Sequence, residues 1–79
     1  MILSYSAFQG KYIKSLPLHL TQEIVVDNHE ELRVKLNMYV THDFVMELLS
    51  VGAEVKVIAP ISLAERMKEE YRKSLQHQS

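Results

Sequence analysis

The side chains with reactive chemistry are few and scattered. Histidines stand at positions 19, 29, 42 and 77, and cysteine is absent. No two histidines share an H-x-H or H-x-x-x-H spacing, so neither strand nor helix geometry would converge them on one ion. His29 falls in a turn-like stretch, His42 in a helix start and His77 in the tail. Ser4, Ser6, Ser15, Ser50 and Ser62 lack a G-x-S-x-G context. The two glycines, Gly10 and Gly52, cannot build a phosphate-cradling loop. Glu65, Glu69 and Glu70 lie in one charged stretch and read as a solvated helix face rather than an acid/base pair. The expectation is a non-catalytic chain with no metal site and no cofactor.

One basic group is worth assembling. Arg33 and Lys35 are two residues apart, so on a strand they project from the same face. Lys56 joins them if its own strand lies in the same sheet, with His19, Thr21 and Asn37 nearby. Such a surface can accept a phosphate or a nucleic-acid backbone. Glu23, Glu31 and Glu54 share that face and offset its charge. Two readings stay open: a ligand or nucleic-acid site made of His19, Arg33, Lys35 and Lys56, or a mixed-charge face that is solvated or covered. His19 by itself reads first as an exposed strand residue and second as a binding residue.

The whole chain bounds what these groups can serve. Its 79 residues suffice for one small domain. A domain of that size buries only roughly 60–65% of its unfolded surface. With 47% hydrophobic and 24% charged residues, the composition is globular. A net charge of −1 gives no bulk attraction to nucleic acid or anionic membrane. Lack of cysteine excludes disulfides and favours a cytoplasmic setting. "MILSYSAFQGKY" has no basic n-region or apolar run of signal-peptide length, and no segment has the apolar length of a membrane span.

The elements that must position the basic group follow from periodicity. Residues 1–16 form a lead-in, with Tyr5, Phe8 and Tyr12 spaced for one or two turns of helix interrupted at Gly10. Pro17 closes it, and residues 17–76 read as a single α+β domain. In "LHLTQEIVVD", Leu18, Leu20, Ile24 and Val26 share one strand face. "DNHE" is a turn in which Asn28 can take a left-handed conformation. "ELRVKLNM" then alternates, with Leu32, Val34, Leu36 and Met38 inward, completing a hairpin. Thr41 reads as an N-cap, Phe44, Val45, Leu48 and Leu49 as one helical stripe, and Gly52 as a C-cap. "AEVKVI" is a third strand closed by Pro60. Ser62 has capping-box spacing to Glu65 and predicts the last helix start, whose stripe is Leu63, Met67, Tyr71 and Leu75. Residues 77–79 read as a frayed tail.

The order β-β-α-β-α predicts a two-layer, ferredoxin-like sandwich with two helices on one face of a three-stranded sheet. A right-handed crossover leaves the second and third strands parallel. Such a pair normally flanks another strand, which the first strand or a segment of another chain would supply. The sheet edges carry no obvious guard.

The block "LRVKLNMYVTHDFVMELLSVGAEVKVIAPISLAERMKEEYRKSL" resembles the C-terminal extension (WCX) domain that follows the WYL domain in bacterial transcriptional regulators. The likeness lies in the alternating strand from Leu32 to Met38 and the helix end at Leu49 to Gly52. It continues in the strand from Val55 to Pro60 and the helix start at Leu63. Pro17, Leu18, His19, Leu20, Thr21 and Gln22 also resemble a "PLHxSQ" strand opening, with threonine where serine is usual. The resemblance implies a non-catalytic regulatory and oligomerisation module. Its partners would be its own WYL and DNA-binding domains in a longer parent chain, a second copy of itself, and a nucleic-acid or small-molecule effector. The alternative is an effector- or single-stranded-nucleic-acid-sensing domain that uses the polar sheet face.

Overall fold

A computed structural model describes residues 1–78, without the side chains of residues 77 and 78. Of the frayed tail expected at residues 77–79, His77 and Gln78 continue the last helix, and Ser79 lies outside the described residues. The elements are β1 (Ile2–Ser6), α1 (Ala7–Ser15), β2 (Glu23–Asp27), β3 (Glu31–Lys35), α2 (His42–Val51), β4 (Val55–Ala59) and α3 (Ile61–Gln78). One turn of 3-10 helix at Gly52–Glu54 joins α2 to β4.

The sheet has four strands in the order β2-β3-β1-β4, every neighbouring pair antiparallel, which corrects the three-stranded expectation. β-α-β-β-α-β with this strand order is the split βαβ arrangement of ferredoxin-like folds, here followed by α3. β3 and β4 are parallel to each other, as the crossover rule predicts, and the strand between them is β1. The lead-in fills the place that the sequence leaves to the first strand or to another chain.

β1 is short, and its alternation rests on two residues. Leu3 and Tyr5 are buried while Ile2, Ser4 and Ser6 face the other side. Tyr5 therefore does not share a helical stripe with Phe8 and Tyr12; those two are exposed on α1 and stack edge-to-face at 5.8 Å. The Ser6 hydroxyl accepts the Gln9 N–H and starts α1. Gly10 does not interrupt that helix. It lets α1 lie on β3, because a Cβ there would stand 2.7 Å from Leu32 Cβ.

Leu3, Tyr5, Leu32, Val34 and Leu36 form a single core with Ile13, Phe44, Val45, Leu48, Leu63 and Met67 from the three helices. All described helices therefore cover one sheet face. The α3 stripe runs out of this core: Leu63 is 3% exposed, Met67 5%, Tyr71 37% and Leu75 69%. Burial, reinforced by the Glu47 charge, pushes the Tyr5 phenol up to about 12.

Caps confirm and correct the expected boundaries. Thr41 Oγ1 accepts the Phe44 N–H at 3.1 Å, and Gly52 ends α2 with φ 68°. α3 begins one residue before Ser62, so Ser62 lies inside its first turn, and the Pro60 carbonyl accepts from Leu63 and Ala64. Asn28 does not use a left-handed backbone. Its Oδ1 accepts the N–H groups of Glu30 and Glu31 at 2.8 and 2.9 Å.

The edges are guarded after all. β2 carries a bulge at Val25, since Ile24 pairs with Val34 and Val26 with Arg33. That bulge places Val26 opposite Arg33, off the face it was expected to share with Ile24. β4 carries a second bulge at Ile58 and places Lys56 mid-strand, and both devices discourage edge-to-edge pairing.

Candidate interaction face and the Thr21–Asn37 turn

The sheet face away from the helices carries most of the predicted basic group. Ser4 on β1 pairs in register with Arg33 on β3 and with Lys56 on β4, so Arg33, Ser4 and Lys56 form one row across the sheet. Lys35 lies two residues beyond Arg33, opposite Ile2 on one side and Glu23 on the other. Sequence reasoning placed these three cations on one face correctly. It missed Ser4 and Ser6, because the lead-in did not read as a strand; the Leu3–Tyr5 alternation was the available signal.

Arg33 does not stand free. Arg33 grips Glu31 through a two-point fork, Nε and Nη2 each 3.3 Å from a carboxylate oxygen. Ser4 Oγ donates to the same carboxylate at 2.5 Å, and Ser6 Oγ donates to Glu54. The Ser4 hydrogen bond holds the Glu31 carboxyl below its ordinary range; burial opposes this, and Arg33 and Lys56 add to it. The face is thus a charge-compensated polar surface built around Glu31. Among the described residues no cluster of histidine and carboxylate side chains could hold a metal ion.

His19 is not on a strand of this sheet. Residues 18–22 form a turn rather than strand, and the expected first strand contracts to β2. Every polar side chain of "PLHLTQ" is used inside the turn or against its neighbours. Thr21 Oγ1 accepts the Asn37 N–H at 2.9 Å and lies 3.2 Å from the Asn37 carbonyl. His19 Nδ1 accepts the Thr21 N–H at 3.1 Å and lies 2.8 Å from Thr21 Oγ1. Gln22 accepts from Leu18 N–H through Oε1 and donates through Nε2 to the Ile13 carbonyl at the end of α1. His19 therefore braces Thr21, whose hydroxyl fastens the turn to Asn37 just beyond β3. Beside it Leu20 and Tyr39 are almost wholly exposed.

A scan against protein-family models matches the WCX domain over residues 3–75. The chain belongs to the WCX domain family. WCX domains are the C-terminal extension of WYL-domain regulators, a regulatory family that is generally non-catalytic. A comparison with curated proteins finds no match. The WCX match reaches back to Leu3 in β1, ahead of the segments that carry the resemblance in the sequence. In this WCX domain, the polar residues of the "PLHxSQ"-like opening hold a turn rather than a strand. Threonine in place of serine keeps the one hydroxyl that Asn37 needs. No described helix of the WCX domain is long and apolar enough to cross a membrane.

Proposed function

We propose that this chain is the non-catalytic regulatory and oligomerisation module of a WYL-type transcriptional regulator, working beside WYL and DNA-binding domains. The observation that carries this reading is the uncovered sheet face in a domain of a regulatory family. Three helices cover one side of the sheet, and nothing described in the chain covers the other. The bulges at Val25 and Ile58 disfavour edge contacts between copies, so the face centred on Ser4, Glu31 and Arg33 is the contact surface. Its central charges, Arg33 and Glu31, are already paired, which lowers the desolvation cost of covering it. Sedimentation of the chain over a wide concentration range tests the reading, together with titration by the WYL domain of a regulator of this family. Concentration-dependent self-association or WYL binding, lost on Arg33→Glu, is expected. A chain that stays monomeric and ignores the WYL domain refutes it.

The row of Arg33 and Lys56 around Ser4 supports a second reading, an anionic effector held on the same face. Amide shifts of Ser4, Arg33 and Lys56 on adding short single-stranded DNA or inorganic phosphate would favour it. Silence across both would remove it.

A further inference from the structure

β4 is an edge strand: β1 pairs with one side of it, and no strand pairs with the other. α3 packs alongside, and a groove of about 230 Å³ runs between them. Its floor is apolar, formed by Val55 and Val57 from the strand and Ala64, Met67 and Tyr71 from the helix. Its rim carries Lys56 from the strand and Lys68 from the helix. Neither lysine belongs to an ion pair among the described residues. The groove is smaller than a cofactor pocket and suits side chains.

An open strand edge supplies main-chain hydrogen-bonding groups, and a groove beside it supplies pockets for alternate side chains. The two lysines decide which strand fits. A second copy of β4 would bring Lys56 and Lys68 against their own kind and is repelled. A strand with apolar residues on one face and carboxylates on the other would seat the first in the groove beside Lys68 and offer the second to Lys56 on the outer sheet face. The bulge at Ile58 confines regular pairing to Val55–Val57. We propose that the β4 edge is a strand-addition site for an extended protein segment alternating apolar and acidic side chains. The lysines that guard this edge against its own copies thereby select an acidic guest.

Lys56 belongs to both this edge and the sheet face of the regulatory reading, so Val55, Val57 and Lys68 report on this site and Ser4 and Arg33 on that one, and either can fail alone. The test is NMR titration of the isotope-labelled chain with two capped hexapeptides, one alternating valine and glutamate, the other valine and lysine. The acidic peptide is expected to shift the amides of Val55, Lys56, Val57 and Lys68 and to slow their hydrogen exchange, and the basic peptide is not. Lys56→Glu combined with Lys68→Glu, both at exposed positions, is expected to weaken acidic-peptide binding about tenfold or more. Equal response to both peptides, shifts centred instead on Ser4 and Arg33, or no response at millimolar peptide would overturn the proposal.

Discussion

The Thr21 hydroxyl oxygen sits 2.9 Å from the Asn37 backbone nitrogen and 3.2 Å from its carbonyl oxygen, joining segments sixteen residues apart. One short side chain thus ties the turn before β2 to the stretch after β3, and His19 and Gln22 brace it from within the turn. Polar residues in a segment that looks like a strand are here a fastening.

Thr21→Val removes the hydroxyl and keeps the shape, and Thr21→Ser keeps the hydroxyl. Valine is expected to cost about 1 kcal/mol, the net worth of a hydrogen bond whose partners can still reach water. Serine should cost a few tenths. Urea denaturation of the three proteins checks this, and equal midpoints for valine and serine would contradict it.

Gly10 and Gly52 should both resist alanine, for different reasons. At Gly10 the new Cβ meets Leu32 Cβ at 2.7 Å, so α1 must lift from β3 despite its better helix propensity. A loss of about 1–3 kcal/mol is expected from overpacking. At Gly52 nothing lies within 4 Å, and the cost is the φ of +68° alone. A similar loss of about 1–3 kcal/mol follows from backbone strain. Only the Gly10 variant should alter side-chain signals of Leu32 in NMR.

Glu31 sets an acid limit. Its folded pKa lies below its unfolded value, first because Ser4 donates to it. Its contribution is therefore complete above the ordinary glutamate pKa of about 4.3 and is lost as pH falls through the lower folded value. Ser4→Ala should shrink this acid-dependent loss. Denaturation midpoints at neutral pH and at the acid end of that window, compared between the two proteins, test it.

Tyr5 sets an alkaline limit. Its folded pKa is raised to about 12, mainly by burial. Stability is then fully present below the unfolded value of about 10 and falls as pH rises towards the folded one. Tyr5→Phe should unfold at the same midpoint near neutral pH and lose less above about pH 10. Spectrophotometric titration of the phenolates offers a second readout, in which one tyrosine titrates late.

What the sequence determined by itself was whatever repeats within one element. The stripe of Phe44, Val45 and Leu48, the Thr41 cap, the Gly52 stop and the alternation of Leu32 and Val34 need only neighbours a turn or a pleat away, and they stand as read. From these came the α+β class, the parallel relation of β3 and β4, and the shared face of Arg33, Lys35 and Lys56. Tertiary structure decided the rest. β1 has only Leu3 and Tyr5 to mark it, and five residues become a central strand because β3 and β4 bond it from both sides. The bulges at Val25 and Ile58 arise from pairing and have no local signature. His19 became part of a turn and Ser4 part of the sheet face, because their partners, Thr21 with Asn37 and Glu31 with Arg33, are brought together only when distant strands pair. Periodicity records which way a residue faces along its own element; which residues meet across elements is settled by the packing of the whole sheet.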